Sequence, residues 1–144
     1  MNKYIIHTDG GSRGNPGPAA IGVVIDAIEN GVHSEYSEYI GETTNNDAEY
    51  KAVVFAFKKL KQIAGKEASA KASVEVWMDS ELIVRQLSGE YKVIDKNLQS
   101  LFMELWNLRL DFGKIQFKHI PREENQAADR LVNAALDKEL NKPL

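Results

Sequence analysis

The chain has 144 residues, 43% hydrophobic and 27% charged, with a formal net charge of −3 and no cysteine. That length favours one domain with a real core, and the composition is that of an ordinary soluble globular protein. Disulfides and thiolate metal sites are excluded, a reducing cytoplasm is the natural compartment, and the acidic balance (pI about 5.6) argues against holding nucleic acid by bulk charge. A local basic surface, or binding bridged by metal ions, stays open.

In chain order, the apolar run within MNKYIIHTDGG is too short for a signal peptide or a membrane span, so no membrane partner is expected. Tyr4 to Thr8 reads as a strand closed by the glycine-rich turn DGGSRGNPGP. Ala20 to Ile28 is apolar and branched, and Glu29-Asn30-Gly31 then marks a hairpin into a more polar strand, Val32 to Ile40, expected at a sheet edge. A long helix is expected from Asn46 to Ile63, followed by a surface connection, AGKEASAKA, and a strand of alternating faces, SVEVWMD. A short helix (Ser80 to Leu87), the loop SGEYKVIDKN and a helix from Asn97 to Leu110 lead to a strand, Lys114 to Ile120. The turn PREEN introduces a last helix, Gln126 to Leu140. No repeat, low-complexity tract or interdomain linker interrupts the chain, so a single domain over residues 1–144, with its core about 2–140, is expected.

Three strands joined by tight turns must be antiparallel, and the later strands, separated by helices, should run parallel to the first through right-handed crossovers. The expected fold is α/β: a five-stranded mixed sheet with helices on both faces.

The long helix poses a question. Ala52, Val53, Ala56, Leu60 and Ile63 form its apolar stripe, and Glu49 extends that stripe toward the N-terminus. Asn46 followed by Glu49 fits a capping box, and taken alone the segment favours that reading. Functional groups in such sheets, however, gather beyond the C-terminal ends of parallel strands. Asp9 ends the first strand and Asp79 ends SVEVWMD. Glu49 would face the same end, and Asp129 sits at the inner edge of the last helix's stripe, formed by Ala128, Leu131, Val132, Ala135 and Leu136. Singly, each acid is better read as a turn, cap or surface residue. Four acids aimed at one place are costly unless cations neutralise them, and all-oxygen donors suit Mg²⁺ or Mn²⁺. Two such ions bridged by carboxylates make the arrangement that cleaves phosphodiesters.

TDGGSRGNPGP, TTNNDAEY, MDSELIVRQL and HIPREENQAAD together resemble type 1 ribonuclease H, over about Asn2 to Asp137 and in the family's order. The resemblance implies that Asp9, Glu49, Asp79 and Asp129 bind the metal ions and that the substrate is the RNA strand of an RNA–DNA hybrid. It gives His119 the place of the family's loop histidine, which assists leaving-group protonation or product release. His7 and His33 are expected to be structural or solvent-exposed. Gly10 and Gly11 would let the backbone approach the nucleic acid closely; Ser12, Asn15, Asn45 and Asn46 match positions that contact sugars and bases in the minor groove. Thr44 matches the residue that seats a DNA-strand phosphate. Glu81 stands where some relatives have glutamine. After Arg85 the family's basic handle is replaced by SGEYKVIDKN, with only Lys92 and Lys96, which implies weaker or more metal-dependent hybrid binding. Trp77 and Trp106 are read as core. A monomer is expected. The rival readings are a non-catalytic hybrid-binding module and a transposase or integrase core.

Overall fold

Period-two burial builds the centre of the sheet. In β1 (Lys3–Ser12), Tyr4, Ile6 and Thr8 are buried, whereas Ile5, His7 and Asp9 on the opposite face are half-buried; β4 (Ser73–Met78) repeats the pattern with Val74, Val76 and Met78. These strands belong to a computed structural model that describes residues 2–143; Met1 and Leu144, the ends of the expected domain, lie outside it. β2 (Gly17–Ala27) and β3 (His33–Thr43) form the expected hairpin, in which Gly31 has φ +72° and Asn30 Oδ1 accepts from the Val32 amide at 3.0 Å. With β5 (Lys114–His119) the sheet order is β3-β2-β1-β4-β5: β1 to β3 are antiparallel, and β1, β4 and β5 are parallel. The expected mixed sheet is present, with the polar strand β3 at one edge.

The even-numbered face carries the main core. Against it lie α1 (Asn45–Ala64), α3 (Glu81–Leu87) and α4 (Lys96–Arg109), burying Val53, Phe57, Leu60, Ile83 and Leu105 with the strands' Ile6, Val23 and Val76. The opposite face is thinner: α5 (Gln126–Leu140) packs Val132 and Leu136 on Ala20. No helix among the described residues is long and apolar enough to cross a membrane.

Four local expectations change. The connection after α1 contains a short helix, α2 (Lys66–Ala70), set off by Gly65 at φ +86°. Ile63 is 45% exposed, because the stripe continues from Leu60 to Ala64 and leaves Ile63 about 100° to its side. Trp106 is 47% exposed: α4 turns Leu98, Leu101, Leu105 and Leu108 inward, and Trp106 lies a step round the helix, beside Phe102 and under Arg109. Trp77 is half-buried on the α5 face, edge-on to His7 and beneath Lys118.

Candidate active site

Asp9 lies within β1 rather than at its end. The strand continues to Ser12 paired with β2, because Gly10 and Gly11 take up extended backbone. Its ladder with β4, however, stops at His7–Trp77. Beyond that pair the two central strands part, and Asp9 and Asp79, each two residues further on, flank the opening.

Two glycines bring the helices to it. A Cβ on Gly10 would lie 2.3 Å from the Ala48 carbonyl carbon and 2.5 Å from the Glu49 nitrogen, so α1 rests directly on β1 there. The glycine at position 10 is therefore required by helix packing. Gly22, the cross-strand partner of Asp9, does the same on the other face: its Cβ would lie 2.2 Å from the Ala128 carbonyl oxygen, which lets α5 settle beside Asp9 with Asp129 on its first turn. Glu49 and Asp129 thus reach one opening from opposite faces.

Glu49 does not close a capping box. The N-cap of α1 is Thr44, whose hydroxyl accepts from the Asp47 amide at 3.2 Å, while Thr43 donates to the Asp47 carboxylate. Thr44-x-x-Asp47 is the same kind of pattern two residues earlier, and it displaces Asn46, which is exposed in the first turn, from the cap. Glu49 is left free of the helix end.

Asp9, Glu49, Asp79 and Asp129 line one cleft of about 310 Å³ with Arg122, Asn133, Val132 and Leu136. Burial first, then the charges of Asp79, Glu49 and Asp129, push the Asp9 carboxyl up to about 8. Burial raises Glu49 to about 7, against a hydrogen bond with Ser80. Glu49 Oε2 is buried with no partner. Asn125 Nδ2 reaches Asp79 Oδ2 at 3.5 Å, and Asn133 Nδ2 reaches Asp129 Oδ2 at 3.4 Å.

This donor set fits a hard divalent cation. All its donors are carboxylate oxygens, one of them is buried without a partner, and ionising them together is opposed until positive charge arrives. No three acids or histidines among the described residues are already gathered tightly enough to hold an ion. The set is open.

The other expected site residues divide. Gly10 and Gly11 line the cleft, and a rim continues from them. Asn45 Oδ1 accepts from both the amide and the hydroxyl of Ser12, at 2.8 and 3.1 Å, and the Asn45 amide donates to Asn15 Oδ1 at 3.0 Å. Thr44 caps α1 on the same rim. His119 closes β5 beside Met78, is exposed, and is not among the residues lining the cleft. Arg122, in the 3-10 turn Arg122–Glu124, does line it. The sequence reading passed over Arg122; its signal was a cation in the turn that leads into the acid-bearing helix. His33 is exposed between Asp26 and Glu35, which raise its pKa. His7 packs edge-on to Trp77, and burial lowers its pKa.

A five-stranded mixed sheet with acids converging beyond its central strands defines a class of nuclease-like folds, and residues 7–135 match the family model described as reverse transcriptase-like. The chain is 52% identical to LC11-RNase H1, isolated from compost by a metagenomic approach, covering 98% of this chain and all of that one with a TM-score of 0.89. RNase H1 from Halobacterium salinarum superposes with a TM-score of 0.86 at 34% identity, covering 94% of this chain and 98% of that one. The bifunctional protein Rv2228c of Mycobacterium tuberculosis is 40% identical over 136 residues, 94% of this chain but only 36% of that protein. LC11-RNase H1 is also known in complex with an RNA/DNA hybrid, and that structure matches at 48% identity with a TM-score of 0.87, covering 96% of this chain and 99% of that one. The chain belongs to the type 1 ribonuclease H family.

Proposed function

We propose that this protein is a metal-dependent endoribonuclease that hydrolyses the RNA strand of RNA–DNA hybrids, leaving 5′-phosphate and 3′-hydroxyl ends. The observation that carries the proposal is the delivery of four carboxylates from four separate segments to one cleft, with Glu49 Oε2 buried and unpartnered. The hybrid-bound relative supports the substrate class.

In this reading Asp9, Glu49, Asp79 and Asp129 hold two Mg²⁺ ions, or Mn²⁺ in their place, which would supply an activated water and neutralise charge on the scissile phosphate and leaving oxygen. The chain's own residues do the rest. The glycine-set helices fix the spacing of the acids before substrate arrives. Arg122, the one cation lining the cleft among the described residues, faces the phosphate that enters it. The rim of Gly11, Ser12, Asn15, Thr44, Asn45 and Asn46 follows the minor groove, where 2′-hydroxyls separate RNA from DNA. His119, outside the cleft, serves departure of the product strand or protonation of its leaving oxygen. The enzyme works as a cytoplasmic monomer.

Cleavage of an end-labelled hybrid tests the proposal, with duplex DNA, duplex RNA and single-stranded RNA as controls, each with Mg²⁺ and with chelator. Cutting of the RNA strand in the hybrid alone, and only with metal, is expected. A hybrid that is bound and left intact would make the protein a binding module instead.

A further inference from the structure

Asn125 stands at the N-cap of α5, a position where asparagine ordinarily accepts from a backbone amide of the first turn and contributes about 0.5–2 kcal/mol. Here it makes no such bond. Its side chain is 1% exposed and turned across the strand ends: Nδ2 donates to the Thr8 carbonyl at 3.0 Å and reaches Asp79 Oδ2 at 3.5 Å. Both neighbours are pure acceptors, so the amide can be oriented only one way, and Oδ1 is left buried with no partner. An unpartnered buried acceptor is itself destabilising. Asn125 therefore forgoes a helix cap and strands its own carbonyl in order to set an N–H₂ group between β1 and β4.

The place it occupies explains why. Thr8 immediately precedes Asp9, and Asp79 is touched directly. The Asn125 carbonyl accepts from the Asp129 amide at 3.1 Å, in the first turn of α5. One residue thus joins the segments that carry three of the four acids, at the point where the β1–β4 ladder has ended. For stability alone a capping side chain would serve better.

We propose that Asn125 is a positioning residue: its buried amide clamps the ends of β1 and β4 and holds the Asp79 carboxylate in place to receive a divalent cation. This rests on the metal-dependent reading above. Groups that orient a ligand in this way typically change metal affinity 10- to 100-fold when removed.

The test uses the full chain and Mg²⁺ alone as the calorimetric probe, followed by hybrid cleavage across a Mg²⁺ range. Asn125→Ser can cap α5 but cannot span the gap. Its Mg²⁺ affinity should fall 10- to 100-fold, with its melting temperature close to wild type. Its kcat should be low at limiting Mg²⁺ and largely recovered at high Mg²⁺, with KM for the hybrid little changed. Recovery by metal separates positioning from a merely structural role, which added Mg²⁺ would leave unrepaired. Mg²⁺ affinity within twofold of wild type in folded Asn125→Ser overturns the proposal. Should that variant fail to fold, Asn125→Asp is read instead: it keeps the shape but turns an acceptor toward two acceptors, and unchanged Mg²⁺ affinity there overturns the proposal equally. The wild-type titration stands apart. Absence of Mg²⁺ binding in it defeats the metal-dependent reading itself, whereas wild-type binding with indifferent variants defeats only the role of Asn125.

Discussion

The two faces of the sheet are built to different specifications. On the α1 face, long side chains interdigitate in a continuous core: Tyr50, Phe57, Ile6 and Leu60 are fully buried. On the α5 face the apolar contact is small, Ala20 with Val132 and Leu136, and Ile5, His7 and Trp77 are left half-buried. Yet Asp9, Asp79 and Asp129 belong to this thinner face, and only Glu49 comes from the other. Apolar burial and charge confinement compete for the same volume. This fold largely separates them, using one face to hold the chain together and the other to present three of the four half-buried carboxylates to one cleft.

The largest effect should come from the carboxylates. Asp9→Asn keeps the shape and removes the charge, so hybrid cleavage should fall by several orders of magnitude. The metal-free fold should meanwhile become more stable. Asp9 titrates at about 8 in the fold against 3.8 ordinarily, so between those values the folded state keeps a proton that the unfolded chain has released. Wild-type stability without metal should therefore decline as pH rises from about 4 to 8, and Asn should remove much of that decline. A gain on the order of 1–3 kcal/mol at pH 8 is expected from urea unfolding. Mg²⁺, proposed above to bind the ionised acids, should flatten the wild-type profile as well. Near-normal turnover in Asp9→Asn would sink the assignment.

Next comes Gly22→Ala, which places a methyl against the Ala128 carbonyl and lifts α5 away from Asp9. Displacement on the scale of an ångström should lower kcat roughly 100-fold, while overpacking costs about 1–3 kcal/mol in thermal unfolding. Unaltered kcat would break the link between helix seating and the acids. Phe57→Ala is the counterpart on the α1 face, expected to cost about 3–5 kcal/mol with little change in kcat for the protein that remains folded. If Phe57→Ala lowered kcat as much as Gly22→Ala, the division between the faces would be lost.

Smaller effects come from outside the acids. A positioned acid–base group is typically worth about 10²–10⁴ in rate, and with the two proposed cations polarising the leaving oxygen His119→Ala should sit at or below the lower end. Arg122→Ala, which removes the cleft's own cation, should exceed it; steady-state kinetics on one labelled hybrid compares the two. The smallest effect should be that of salt. With only Lys92 and Lys96 in the handle's place, hybrid affinity should depend weakly on ionic strength, and a steep slope in filter binding would show phosphate contacts beyond these.

Most of the architecture was legible because its signals are local and periodic. Asn30-Gly31 announced the hairpin, the alternation in SVEVWM announced β4, and α5 spans Gln126 to Leu140 as its stripe required. The structure brings the four acids into one cleft through spacing relative to strand and helix ends. What escaped the sequence depends on contacts between distant segments. The close seating of α1 on Gly10 and of α5 on Gly22 leaves no local mark, since Gly10 stands in a turn-like stretch and Gly22 inside an ordinary apolar strand. Thr44 displaced Asn46 as the cap because two overlapping patterns competed within TTNNDAE, and only the fold chose between them. Asn125 read only as the end of the turn PREEN, and its contact with Thr8 crosses most of the chain.

That contact has a consequence for the order in which the protein comes into being. The clamp joins residues 117 positions apart, and Asp129 follows it, so the cleft needs every element from β1 to α5 before it exists. During synthesis β1, β2 and β3 can pair and α1 can settle on them while Asp9 and Glu49 face an incomplete pocket. A chain still emerging from the ribosome, beside messenger RNA, carries half of the acids and none of α5. Only when α5 is released and docks on Gly22 are all four acids brought to the cleft.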